Sequence, residues 1–331
     1  MAYKIALLIL FGFLIIKYFN NINNQFNFFD SPDYLRKLHK KKIPFSGGFF
    51  IFLVFNLYIL LFFNNKKFIL DLEEKQRIVF LVTTNLIFFI GLLDDFKKIS
   101  ITRRLFSFLF LISIFIFIYD ESLFVNSIRL SFFYFEINLL LFKYLLIMFS
   151  FLAFYNALNM YDGINGQTSI YLIFILSVFY FFYDQSFIFI FLISSLLIFF
   201  YFNIQNKVFL GNSGVIFFSF IVSFIIIKLY NEKKILLADE IVLLMFMPGI
   251  DLIRVFLERI LKKRNPFVAD QNHCHHILLK KYGLKFTLFI TTSLSIMPFV
   301  IYKSGFGYTI PVLFSFFAYI LVLQFSKILK K

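Results

Sequence analysis

The sequence predicts an all-α membrane bundle of about eleven transmembrane helices, and three observations carry that prediction. The chain has 331 residues, of which 61% are hydrophobic and 15% charged, against about half apolar and a quarter charged in a soluble domain. The apolar residues fall in runs of about 17 or more with almost no charge, the length a helix needs to cross a bilayer. Lys and Arg gather in alternate connections between those runs.

In order, the expected spans are 2–20, 46–63, 78–93, 105–119, 138–156, 168–183, 186–202, 214–230, 236–252, 286–302 and 308–326. The first has Lys4 ahead of an apolar stretch, like a secretion signal. Lys17, Tyr18 and Asn20 follow it in place of a small-residue cleavage site, so it reads as a retained helix. No connection is long enough for a soluble domain, and 1–331 reads as one domain. The single cysteine, Cys274, excludes an internal disulfide. The 57 phenylalanines carry no functional weight, because Ile, Lys and Asn are abundant too and the bias is compositional.

One alternating set of loops is 21–45, 94–104, 157–167, 203–213, 253–285 and the C-terminal tail. It holds more than twice the Lys and Arg of the other set, which places it inside. The N-terminus is then outside and the C-terminus inside, which needs an odd number of spans. The net charge of +15 accordingly reads as loops facing anionic lipid or substrate and not as a nucleic-acid surface.

The inside loops also hold the unusual residues. Loop 21–45 carries Asp33, Arg36, Lys37, His39, Pro44, Gly47 and Gly48. Asp94 and Asp95 open the next. Then come Asn159, Asp162, Gly163, Asn165 and Gly166, followed by Phe209, Gly211, Asn212 and Gly214. The last contains Asp270, His273, His275 and His276, so every histidine lies on this face. Each cluster has a plain reading by itself. Paired aspartates mark a membrane boundary, Asp-Gly and Asn-Gly make turns, and Lys262–Arg264 anchors to lipid. A zinc site at the histidines is disfavoured, because His275 and His276 should diverge on a helix and no second cluster completes the ligands. Together, ionisable residues at several helix ends on one side point to one polar site. Paired carboxylates suit Mg²⁺ shared with phosphates, glycines let backbone N–H groups approach phosphate, and an apolar bundle suits a lipid tail. The residues alone favour Mg²⁺-dependent chemistry on a phosphorylated lipid or a nucleotide.

The motifs, in order, are Asp33-x-x-Arg36-Lys37-x-His39 with Ile43-Pro44-x-x-Gly47-Gly48, Gly91-Leu-Leu-Asp94-Asp95, Asn156-x-x-Asn159-x-x-Asp162-Gly163-x-Asn165-Gly166, Phe209-Leu-Gly211-Asn212-x-Gly214, Asp251-x-x-Arg254, and Asn265-Pro266-Phe267-x-Ala269-Asp270-x-x-His273-x-His275-His276. This series resembles the polyprenyl-phosphate N-acetylhexosamine-1-phosphate transferases, glycosyltransferase family 4. The last motif is most similar to the branch that initiates O-antigen and common antigen. The resemblance runs from Asp33 to His276.

The resemblance implies transfer of N-acetylhexosamine-1-phosphate, GlcNAc or a 6-deoxy relative, from a UDP-sugar to undecaprenyl phosphate, releasing UMP. It implies Mg²⁺, with Mn²⁺ as the alternative ion, held by Asp94, Asp95 and Asn212. The division of metal binding and proton transfer between Asp94 and Asp95 stays open. Asp162, beside Asn159 and Asn165, would position the nucleotide diphosphate. Phe209 would stack on uracil next to Gly211. His273, His275 and His276 would contact phosphate or sugar, with Arg254 and Lys207 as charge partners. It also implies a bacterial inner-membrane protein, compatible with a homodimer, whose site faces the cytoplasm. The departure is Asn212, where the family carries a metal-binding aspartate; Asn offers one neutral oxygen and no charge. A binder of nucleotide sugar or prenyl phosphate without transfer activity is therefore the alternative. A transporter is the weaker rival, since its ionisable residues would lie near the bilayer centre.

Overall fold

The computed structural model describes residues 23–25, 28–30, 42–63, 71–133, 135–265 and 271–328. The first expected span (2–20), the Asp33–His39 motif and residues 266–270 lie outside the described residues. In chain order the elements are β1 (Phe29–Asp30), β2 (Ile43–Pro44), α1 (Gly47–Phe62), α2 (Glu74–Lys97), α3 (Ile101–Tyr119), β3 (Ser127–Ile128), β4 (Ile137–Asn138), α4 (Phe142–Tyr161), α5 (Gln167–Val178), α6 (Phe187–Asn203), α7 (Gly211–Asn231), α8 (Ala238–Leu244), α9 (Phe246–Leu261), α10 (Cys274–Lys303) and α11 (Thr309–Ile328).

Six of these, α2, α3, α4, α7, α10 and α11, are long and apolar enough to cross a membrane, and α1, α5 with its following turn, and α6 are shorter apolar helices. Many large apolar side chains point outward; Phe117 is 90% exposed and Phe106 73%. In water such faces would be a liability, and in lipid they are the expected surface.

The structure departs from the expected layout in two places. The span 236–252 is not one helix: the chain turns at Met245 between α8 and α9, and α9 runs on to Leu261. Most of the expected loop 253–285 is consequently helical. The span 286–302 is preceded by a short helical segment from Cys274, set off from it by a break at Gly283, whose φ of 74° suits glycine. Apolar content set the expected limits, and the polar extensions of these helices carry no hydropathy signal.

The chain divides into two compact units, residues 1–120 with 172–221 and residues 121–171 with 222–331. In the first, β1 and β2 pair antiparallel, Phe29 opposite Pro44. A capping box starts α2: the Glu73 N–H donates to Gln76 Oε1 (3.1 Å) while the Glu73 side chain accepts from the first turn. Phe52 of α1 stacks on Phe88 of α2 (centroids 3.8 Å apart), and Phe217 of α7 meets Phe52 and Phe55 edge-on. Phe220 packs against Phe80 and Phe115. In the second unit, β3 and β4 form a hairpin. Arg129 joins it to the end of α7, donating to the Tyr230 carbonyl (2.6 Å) and lying over the Tyr230 ring. Lys303 at the end of α10 pairs with the buried Glu240 of α8 (3.0 Å).

Candidate functional site

The polar residues singled out in the sequence fall into two groups, one in each unit. The first is built on the end of α2 and the start of α7. The Phe209–Gly214 segment is held by backbone bonds: Phe209 N–H donates to Pro44 O (2.8 Å), Gly47 N–H to Phe209 O (3.0 Å) and Gly48 N–H to Leu210 O (2.8 Å). The Pro44–Gly48 and Phe209–Gly214 motifs thus form one backbone platform. Asp95 reaches the start of α7, where Oδ1 accepts the Asn212 N–H (2.7 Å) and Oδ2 the Ser213 N–H (3.0 Å). These N–H groups have no partner within the helix, so a carboxylate there both caps it and meets its positive end. Gly211 has a φ of +75°, and a Cβ on it would lie 2.8 Å from Asp95 Oδ2; glycine is required on both grounds. Asp94 is 3% exposed and pairs with Arg104 of α3 (2.6 Å).

These carboxylates are already engaged with protein groups. Both oxygens of Asp95 already accept helix N–H groups, Asp94 Oδ2 is paired to a cation, and Asn212 brings no charge. Among the described residues, no group of three or more His, Cys, Asp or Glu side chains is arranged to hold a metal ion.

The second group centres on Asp251 of α9. Its carboxylate accepts from the Arg254 guanidinium (2.9 Å), the Tyr319 hydroxyl (2.6 Å), the Cys274 N–H (3.1 Å) and His273 Nδ1 (2.8 Å). Asp251 is thereby the cap of α10 and the orienting partner of His273. Arg254 also donates to Tyr319 Oη (2.7 Å) and to the Asn272 carbonyl (2.6 Å), which fixes the backbone before His273. Arg254 is therefore engaged with protein groups and not held out toward solvent.

Beyond this network the histidines stack: the His273 and His275 rings are 5.6 Å apart and nearly parallel, and His275 and His276 are 4.3 Å apart. The adjacent rings are thus closer than helical divergence suggested. His275 is fully buried, yet among the described residues neither ring nitrogen has a hydrogen-bond partner. Its Nε2 lies against Gly163, so close that a Cβ there would overlap it. Gly163 follows Asp162, which ends α4 with its N–H on the Leu158 carbonyl (2.9 Å). Burial pushes the Asp162 carboxyl up to about 6, while the Thr168 hydroxyl draws it down. A buried imidazole without a partner costs about 1–3 kcal/mol, and a water, an ion or a ligand group would satisfy it.

Within the first unit, then, the structure brings together Asp94, Asp95, Phe209, Gly211 and Asn212. Within the second it brings together Asp162, Gly163, His273, His275, His276 and Arg254, with Asn159 and Asn165 on the flanks of the Asp162 turn. Sequence reasoning missed Arg104 and Tyr319. Arg104 lies in a basic pair that reads as a membrane-edge anchor, and Tyr319 sits in an apolar run where a tyrosine carries no signal.

Residues 77–230 match the family model of glycosyl transferase family 4. That stretch includes Asp94, Asp95, Asn159, Asp162, Asn165 and the Phe209–Gly214 segment. No curated protein matches the chain.

Proposed function

We propose that this protein transfers N-acetylhexosamine-1-phosphate, GlcNAc or a 6-deoxy relative, from a UDP-sugar to undecaprenyl phosphate and so initiates a cell-surface polysaccharide. The observation that carries the reading is His275, buried beside the Asp162–Gly163 turn and without a hydrogen-bond partner among the described residues. The family match over 77–230 gives that turn a phosphosugar context. In the reaction, an oxygen of the lipid phosphate attacks the β-phosphorus of the donor. The bond from that phosphorus to the bridging oxygen breaks, UMP leaves with the electron pair, and the sugar stays on the transferred phosphate.

In this reading His275 and His276 contact the phosphate or the sugar, and Asp162 orients the nucleotide diphosphate. Asp95 holds the 209–214 segment in place through α7. Mg²⁺ or Mn²⁺ enters as a companion of the donor diphosphate, and no protein cage for it is proposed. The layout with the N-terminus outside and the C-terminus and polar loops in the cytoplasm of a bacterial inner membrane belongs to the same reading, with α8 and α9 together in place of the single span 236–252. A reporter fused to the C-terminus should be cytoplasmic, and a periplasmic signal would overturn this topology.

The test is purified protein with undecaprenyl phosphate and a panel of sugar-labelled UDP-N-acetylhexosamines, with Mg²⁺ or with chelator. Labelled lipid together with released UMP is the expected result and names the sugar. Asn212 favours a second reading, a binder of nucleotide sugar or prenyl phosphate without transfer. Folded protein that gives no product with any sugar, but gains activity on Asn212→Asp, would select that reading.

A further inference from the structure

Tyr319 lies midway along α11 (Thr309–Ile328), a helix apolar enough to cross a membrane. It is 2% exposed. Its hydroxyl sits inside a charged network on α9: it donates to Asp251 Oδ1 (2.6 Å) and accepts from Arg254 Nε (2.7 Å). A polar group placed on ionised partners within an apolar span is more often functional than incidental. The same Asp251 carboxylate holds His273 through Oδ2 and Nδ1 (2.8 Å). That contact needs the hydrogen on Nδ1, because a carboxylate can only accept. The imidazole is thereby fixed in one orientation, with Nε2 directed away from Asp251.

We propose that Tyr319 is a positioning residue for His273, acting through Asp251 and Arg254. Its hydroxyl satisfies Asp251 Oδ1 and Arg254 Nε together, so the carboxylate keeps the rotation that puts Oδ2 on His273 and the guanidinium stays on Asn272 O. Without the hydroxyl, Asp251 Oδ1 keeps only the Arg254 guanidinium and the Cys274 N–H, so the hold on the carboxylate's rotation, and through it on the His273 ring, is loosened. The catalytic purpose of that arrangement rests on the transfer reading; the geometry does not.

The experiment separates the two. In detergent-purified full-length protein with ¹⁵N-labelled histidine, the His273 signal is identified by its loss in His273→Gln. In the wild type it should show a proton fixed on Nδ1, and in Tyr319→Phe it should shift toward exchange between the two ring nitrogens. An unchanged His273 signal in folded Tyr319→Phe would overturn the proposal whatever the activity. In the transfer assay, Tyr319→Phe should lower kcat about tenfold with KM for the UDP-sugar changed less than about twofold, and should cost nothing further in a His273→Gln background. Full additivity of the two substitutions would make Tyr319 a packing residue and would also overturn it. If Tyr319→Phe does not fold, 3,5-difluorotyrosine at position 319 keeps the ring and hydroxyl. It should then move the His273 signal, and a static signal would count against the proposal. A wild-type protein without transfer activity would defeat the transfer reading and leave the histidine spectra to decide this one.

Discussion

Asp95 in the first unit and Asp251 in the second both accept N–H groups from the start of a helix, α7 and α10 respectively. Their remaining contacts differ. Asp95 uses both oxygens on the backbone of Asn212 and Ser213, so what it fixes is a loop and the entry of a helix. Asp251 adds three side chains, Arg254, His273 and Tyr319, so what it fixes is an imidazole. A carboxylate in an Asp-Asp pair looks like the metal ligand and a single aspartate in a helix looks incidental. The contacts reverse that ranking: it is the second carboxylate that holds a histidine directly.

The largest expected effect tests that reversal. Asp251→Ala leaves Arg254 and His273 without their buried partner, and breaking a buried pair this way costs about 3–5 kcal/mol. A melting curve should show that loss, together with transfer reduced beyond detection; a neutral substitution would dismantle the second group. Next in size, His275→Ala should lower transfer at least about tenfold, equivalent to about 1.4 kcal/mol of barrier, and leave stability unchanged or improved, because the imidazole it removes has no hydrogen-bond partner among the described residues. Wild-type kinetics would return His275 to a packing role. Gly163→Ala should mimic this defect through the added Cβ and be partly relieved in the His275→Ala background.

A pH profile sharpens the comparison further. Asp162 has its carboxyl pushed up to about 6 by burial, so it should lose its charge as pH falls through about 6, and transfer should decline on that side. The acid limb should move in Asp162→Asn, and an identical limb would assign it to another group. The linkage sign is the reverse for stability: a raised folded value favours the folded state most below the ordinary aspartate value of about 4, and that contribution is lost as pH rises through about 6. The smallest effect is expected at Asp95→Asn. It should cost about 1 kcal/mol in melting experiments, the scale of a helix cap, and leave the Mg²⁺ concentration for half-maximal transfer where it was. A large rise in that concentration would make Asp95 a metal ligand after all.

Much of this was legible in the sequence. Nine of the expected spans fall on helices, because runs such as Phe187–Asn203 and Thr309–Ile328 carry a hydropathy signal that needs no tertiary information. The link between Gly47–Gly48 and Phe209–Gly214 was not, since it is made by backbone atoms distant in sequence. Met245 and Gly283 were also silent: the break between α8 and α9 falls inside an apolar run, and the kink falls in a polar one read as loop. At the candidate site, residue types singled out segments that the structure places in two polar groups, but partners could not be read from them. Nothing in Asp94-Asp95 says that one aspartate pairs with Arg104 and the other caps a helix.

The most direct test of the central claim is to follow each phosphorus of the donor. UDP-N-acetylglucosamine, or the donor sugar selected in the panel, would be labelled with ³²P in either the α or the β position and incubated with protein and undecaprenyl phosphate. The account predicts β-label in the lipid fraction and α-label in free UMP. β-label remaining in UDP would show transfer of the sugar alone, and label absent from the lipid in every case would show no transfer at all; either result would contradict it.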